Sequence, residues 1–359
     1  MVPDVPGDPS VFRESDAIVA QDWPRLADHL AGHGLAFDAT APVLQFAGGF
    51  GNLNYLIVVD GRWVVLRRPP PGPLPPGAND MAREHKVIAG LAPLLPLVPA
   101  PVHFCADEGV LGRPFLIMEY RPGIVIGGSI PDRYADRADI GALLAEHLVG
   151  FLADLHAVDP AAAGLDDLGR PDGFLDRAVA GWAKRLDIAS DGEPPRAARS
   201  VVAWLRDRRV GGQTPTLLHN DFKLDNMILD PDGLAPVAVI DWDMGSRGDP
   251  LFDLGTLISY WVEPGDPEAM HAIGQMPTAG HGFPTRHGVV EAYAARTGRD
   301  VSDILFYRVL TAFKLGVVFI QLNARYRRGE TVDPRFAGFG EMGEGLLDFA
   351  HDIARGRAF

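Results

Sequence analysis

Cysteine is nearly missing: Cys105 is the single one in 359 residues. One thiol can neither close an intrachain disulfide nor build a multi-cysteine metal site. Its setting, Val-His-Phe-Cys-Ala, reads as a strand or loop edge with no cation to activate a thiolate. Basic residues are also in deficit: 33 Lys and Arg stand against 47 Asp and Glu, a formal charge of −14. Such a surface repels phosphate backbones and anionic lipid, so no nucleic-acid partner and no membrane partner is expected. A local basic pocket for a nucleotide stays compatible with it, because net charge says nothing about one cleft. The opening residues lack the basic start and apolar run of a secretion signal. The apolar stretches are read as interrupted before they reach the length of a bilayer span. A soluble cytoplasmic protein is the expectation. Aromatics, at 9%, give no convincing cage for a quaternary ammonium.

Hydrophobic residues make up 47% of the chain, enough for two moderate cores or one unusually large one. A helix is expected from about Trp23 to Gly34, with Leu26 and Leu30 on one face. Strand candidates follow at Pro42–Phe46, Tyr55–Val59 and Arg62–Arg67, the last two joined by a tight Asp60-Gly61 turn. Prolines at 69, 70, 71, 73, 75 and 76 mark a surface loop. Asp80 is a candidate cap for a helix to Leu91, and Pro101–Cys105 and Pro114–Tyr120 are further strands. Arg121-Pro122-Gly123 reads as a boundary, dividing residues 1–121 from 122–359. Beyond it Ile140, Leu144, His147, Leu148, Phe151 and Leu155 recur at helical spacing, and helices dominate to the end. The expected class is α+β: a small antiparallel β-rich lobe followed by a larger, mainly helical one.

The strongest local signal is His219-Asn-Asp221-Phe-Lys-Leu-Asp-Asn226, followed by Val237-Ala-Val-Ile-Asp241-Trp-Asp243. Asp221 and Asn226 lie on a short loop between apolar segments, and Asp241 ends an apolar strand, where its carboxylate can project outward. An amide oxygen and a carboxylate are hard ligands that suit magnesium shared with substrate phosphates. A third acid left off the metal can accept the proton of an attacking hydroxyl, which is the division of labour phosphoryl transfer needs. Asp243 is read as either a second metal contact or a brace, and Lys223 as either a phosphate contact or a solvated side chain. In the first lobe Gly48, Gly49 and Gly51 with Asn52 form a turn where missing side chains permit sharp turning and close approach to phosphates. No Gly-Lys-Ser or Gly-Lys-Thr follows, so it is not a Walker loop. Alternation puts Val65 and Arg67 on one face of the next strand, with Arg68 on the other.

His-x-Asp-x-x-x-x-Asn, then Ile-Asp-Trp, then Gly248-Asp249-Pro250-Leu-Phe-Asp253-Leu, closely resembles the aminoglycoside phosphotransferase and choline kinase superfamily, built on the protein-kinase fold. The resemblance implies that Asp221 is the catalytic aspartate, with Asn226 and Asp241 on magnesium. It makes His219 a structural holder of the loop, and Asp249 and Asp253 an acidic pair fixing the following helix against it. Arg67 takes the place of the strand lysine that binds ATP phosphates, paired with Glu84. The substitution keeps the charge but not the shape. Ile117-Met118-Glu119-Tyr120 resembles the segment linking the lobes, with Met118 or Tyr120 shaping the adenine pocket. The implied cofactors are ATP and Mg²⁺, and the implied partner is a small molecule bearing a hydroxyl. Leu66-Arg-Arg-Pro-Pro-Pro-Gly72 and the stretches from Phe306 to Gly329 look like the branch fused to some acyl-CoA dehydrogenases, although no dehydrogenase region is read before Phe359. That branch is associated with hydroxylated acyl substrates; others take aminoglycosides, choline, ethanolamine or homoserine. Two other readings remain open: a catalytically silent kinase-like binding protein, because of Arg67, and a metal-dependent hydrolase, which the glycine turn, Arg67 and Glu84 disfavour.

Overall fold

A computed structural model describes residues 9–48, 51–72, 79–208, 210–331 and 334–359 of the chain. Helix α1 (Trp23–Gly32) precedes strands β1 (Leu44–Gln45), β2 (Leu53–Val59) and β3 (Arg62–Arg68). Next come α2 (Met81–Leu91), β4 (Pro101–Cys105), the one-turn α3 (Glu108–Leu111), β5 (Phe115–Glu119) and β6 (Ile124–Val125). Helices α4 (Ile140–Ala157), α5 (Phe174–Ala189) and α6 (Arg196–Asp207) lead to four short strands. These are β7 (Thr216–Leu218), β8 (Met227–Leu229), β9 (Pro236–Val239) and β10 (Ser246–Gly248). The chain closes with α7 (Pro250–Tyr260), α8 (Glu268–Ala272), α9 (Arg286–Thr297), α10 (Ile304–Arg327) and α11 (Phe339–Ala354). The pieces absent from the sequence reading, α3, β6, β10 and α8, are too short to show a period.

Two compact units emerge: residues up to Ile124 together with Met227–Gly245, and Val125–Asn226 together with Ser246–Phe359. The first unit therefore reclaims a segment that a single cut at 121/122 leaves with the second. β8 and β9 pair antiparallel, and Val239 N donates to Leu97 O at 2.7 Å. Gly245 fits beside α2 because it lacks a side chain: a Cβ there would lie 2.9 Å from Val87.

In the first unit the strand order is β1-β2-β3-β5-β4, all antiparallel. Asp60 and Gly61 both take left-handed φ, 51° and 72°, as the tight hairpin turn requires. One sheet face buries Tyr55, Ile57, Val64, Leu66, Phe115 and Ile117 against Leu26 and Leu30 of α1. Burying each leucine contributes about 1.5–3 kcal/mol. The other face carries Val65 opposite Met118 and Arg67 opposite Leu116. Asp80 caps α2 by accepting from Arg83 N at 3.0 Å.

The second unit is helical. α7 is buried along its whole length. α10 and α11 cross closely, and a Cβ on Gly343 would approach Gly316 O to 3.0 Å. Against the expectation of interrupted apolar runs, α4 and α10 are long and apolar enough to cross a membrane by length and composition, with mean hydropathy 1.3 and 1.6. Inside the fold 67% and 72% of those stretches is buried, the pattern of a helix packed on several sides in a core.

Candidate active site

The first unit assembles its residues around one guanidinium. Arg67 is 8% exposed, and its Nε donates to Glu84 Oε2 at 2.8 Å. Its Nη2 pairs with Asp241 Oδ1 and lies 3.9 Å from Asp243 Oδ2, while Nη1 donates to Asn54 Oδ1 at 3.3 Å. Glu84, 1% exposed, uses its other oxygen to accept from Trp242 N at 3.3 Å. Helix α2 is thereby tied both to β3 and to the turn after β9. Asp241 itself has φ 70°. Left-handed backbone costs an L-residue roughly 1–2 kcal/mol and turns the carboxylate away from the strand line.

Burial opposes the charge on Arg67, but Asp241, Glu84 and Asp243 outweigh it and hold the guanidinium protonated. Burial pushes Glu84 up to about 7; Arg67 lowers it only in part, since Asp241 and Asp243 share the same cation and repel it. One guanidinium facing three carboxylates leaves a negative excess that a divalent cation would neutralise. Asp241, with 36% of its side chain exposed, offers the hard oxygen that magnesium prefers.

The glycine turn differs from expectation. Neither Gly48 nor Gly51 has a left-handed φ, and a Cβ on Gly48 would meet nothing within 4 Å. Backbone freedom is therefore not what these two positions require; Gly48 faces open space, whereas a Cβ on Gly51 would lie 3.3 Å from Asn79 Nδ2. Gly49 lies outside the described residues, as do 73–78 of the proline loop. Asn79 Nδ2 closes the turn, donating to Gly51 O at 2.6 Å and to Asn52 Oδ1 at 2.9 Å. Asn52 Nδ2 reaches Asp243 Oδ2 at 3.5 Å, which gives Asp243 a bracing contact. Met118 is buried on the Arg67 face, and burial raises the Tyr120 phenol.

The second unit holds the loop from His219 to Asn226. Asp253, on α7 and fully buried, accepts from His219 N and Asn220 N, both at 2.6 Å. The imidazole of His219, also fully buried, accepts from Asp221 N at 3.3 Å. Lys314 of α10 donates to Asn220 O at 2.5 Å, and Asn226 Nδ2 donates to Asp221 O at 2.8 Å. That last bond turns the Asn226 carbonyl oxygen, a hard donor, to other use. Asp249 differs from its expected role: it caps α7 at Leu251 N and accepts from Gln213 N at 2.8 Å and Tyr307 Oη at 2.7 Å. Asp253 alone of the pair secures the loop.

Asp221 Oδ1 accepts from Tyr260 Oη and Oδ2 from Lys223 Nζ, each at 2.8 Å. Burial favours the neutral acid, but Lys223 and Lys314, with these hydrogen bonds, hold Asp221 below the usual carboxylate range. Burial also opposes charge on Lys223, yet Asp221 and its neighbours raise it well above an ordinary lysine. Lys223 is thus not a solvated side chain; it is 7% exposed and also lies 3.3 Å from Asp225. The chain has four lysines, 86, 184, 223 and 314, and two of them serve this loop. Tyr260 and Lys314 were missed from sequence. A lone cation in the apolar run Phe-Lys-Leu-Gly-Val-Val was the available signal for Lys314; Tyr260 had none.

Residues 42–287 match the phosphotransferase enzyme family, and the chain belongs to it. Its fold is α+β and protein-kinase-like. A solved structure from Ralstonia eutropha, a candidate aminoglycoside phosphotransferase, is 25% identical, with TM-score 0.76 over 94% of this chain and 99% of that one. A ternary complex of aminoglycoside phosphotransferase APH(4)-Ia with AMP-PNP and hygromycin B, 15% identical, shares the fold at TM-score 0.57 over 92% and 98%. Among curated relatives, rat acyl-CoA dehydrogenase family member 11 is 31% identical over 85% of this chain and 39% of its own length. Mouse acyl-CoA dehydrogenase family member 10 is 28% identical over 90% of this chain and 30% of its own. The chain thus spans well under half the length of these relatives.

Proposed function

We infer that the chain transfers the γ-phosphoryl group of ATP to a hydroxyl of a small molecule. The observation that carries this reading is the buried Arg67 shared by Glu84 and Asp241, a cation paired as triphosphate binding in the kinase fold requires and one that a simple hydrolase does not call for. Asp221 orients the acceptor hydroxyl and takes its proton at a carboxylate oxygen. Held below the usual range, it is a weak base, so alignment outweighs proton abstraction, as a loose transition state allows. Arg67 and the glycine turn, with Gly48, Gly49, Gly51 and Asn52, steady the phosphates, and Met118 and Tyr120 border the base. Asn226 of the second unit and Asp241 of the first would each offer an oxygen to magnesium, which when bound would offset charge on the transferred group. Lys223, bonded to Asp221, steadies its charge before the acceptor arrives.

The neighbour solved with AMP-PNP supports an adenine nucleotide, while another of the same fold is a GDP complex of aminoglycoside 2′-phosphotransferase-IIIa. The acyl-CoA dehydrogenase names of the curated relatives favour a hydroxy acid or hydroxyacyl thioester over an aminoglycoside. ATP and GTP consumption, with mass detection of products, against aminoglycosides, amino alcohols, hydroxy acids and hydroxyacyl thioesters tests the proposal. Asp221→Asn abolishes turnover while ATP binding persists; equal turnover in variant and parent removes Asp221 from its role. Asp241→Ala loses magnesium-supported nucleotide binding. ATP binding with no phosphoryl transfer to any acceptor would favour the silent alternative.

A further inference from the structure

Three histidines of the first unit converge far from Arg67's chemistry. His29 lies in the last turn of α1 and His33 caps that helix, while His103 lies on β4, an edge strand of the sheet. β4 carries His103 and Cys105 toward α1, on the face opposite Arg67, and the ring of Phe115 walls the group at 5.9 Å from His29 and 6.1 Å from His103. His29 Nε2 and His103 Nε2 are 2.9 Å apart. His33 Nδ1 lies 2.8 Å from His29 O. A carbonyl only accepts, so Nδ1 carries the proton and Nε2 keeps its lone pair. One ring nitrogen from each histidine lies within 4.8 Å of the others.

Apolar packing alone does not account for this arrangement. The rings are mutually tilted by 42° to 60°, none stacked face to face, and ring nitrogens of His29 and His103 meet at hydrogen-bond distance. Burial first, then the neighbouring imidazoles, lowers His103 to about 4, and burial with His33 lowers His29. Around a tetrahedral zinc ion, nitrogens at about 2.0–2.1 Å stand roughly 3.3 Å from one another. Reaching that spacing takes a slight parting of His29 and His103 from 2.9 Å and a closer approach of the exposed His33 ring.

The geometry points to a zinc-class divalent metal site formed by His29, His33 and His103, with water or an external donor in the fourth position. Its consequence is mechanical: the metal fastens α1 to the sheet edge that carries β4. Imidazole donors prefer zinc, cobalt, nickel or copper over magnesium, which separates this site from the magnesium proposed for catalysis.

The test uses the full chain, freed of any purification tag and stripped with chelator, titrated with Co²⁺ alone and then with Zn²⁺ in excess Mg²⁺. One equivalent of Co²⁺ per chain should give tetrahedral visible absorption, displaced by Zn²⁺ and untouched by Mg²⁺, and Zn²⁺ should raise Tm. His33→Asn, at an exposed position that costs the fold little, and His103→Asn should each weaken binding at least tenfold and cancel the Tm rise. Absence of saturable Co²⁺ binding in the parent overturns the proposal. So does binding that survives either substitution undiminished.

Discussion

Removing the Asp253 carboxylate would detach the loop that carries Asp221. In the folded chain its two oxygens accept from His219 N and Asn220 N at 2.6 Å in a site closed to water. A hydrogen bond to a charged group contributes about 1.5–3 kcal/mol, so two sum to roughly 3–6 kcal/mol. Asp253→Ala also leaves both amides buried without their acceptor, while release of a buried charge offsets part of the loss. About 4 kcal/mol is the expected net cost. Asp253→Asn keeps the shape and one acceptor oxygen, so about half of that is expected. The assay pairs urea unfolding with hydrogen exchange, which reads the amides of His219 and Asn220 individually and does not require two-state behaviour. Those amides should be among the protected ones in the parent and exchange faster in both variants. Loosening of the loop should also lower kcat about 100-fold, the scale of an ångström-sized misplacement. An alanine variant within about 0.5 kcal/mol of the parent, with unchanged exchange at both amides, would refute the claim that this carboxylate holds the loop.

Arg67→Ala strips the buried Glu84 of its cation and should cost about 3–5 kcal/mol in denaturant unfolding; Arg67→Lys, charged but without the fork, should fall between it and the parent. Glu84, ordinarily near 4.5, titrates in the folded chain at about 7. Between those values the folded state holds a proton that the unfolded state has released. Its contribution is therefore complete below pH 4.5 and is lost as pH rises through about 7, on the order of 3 kcal/mol. Glu84→Gln should flatten that slope, and parallel pH profiles for the two proteins would count against it. A Cβ at Gly141 would lie 2.3 Å from Phe283 N and 2.4 Å from His281 O, backbone atoms that cannot swing aside. Gly141→Ala should accordingly lower stability by about 1–3 kcal/mol, which thermal or urea unfolding can read.

The chain's local chemistry determined most of the element order. Short apolar runs bounded by turn residues marked β2, β3 and β5, period-3.6 leucines marked α4, and Asp60-Gly61 and Asp80 placed a turn and a cap, because each depends on near neighbours alone. The spacing from His219 to Asn226 and the strand ending at Asp241 likewise named the candidate residues for phosphoryl transfer. What lay beyond reach were relations across long separations. Glu84 bonds the backbone of Trp242, Lys314 the carbonyl of Asn220, and Tyr260 the carboxylate of Asp221. No local period encodes such pairs; they exist only once helices pack. The same holds for residues 227–245 joining the first unit, and for His29 meeting His103 across 74 positions of sequence, with His33 beside them. Sequence could supply the donors and acceptors, but burial and distance set their charge states and partners, and those are properties of the packed chain.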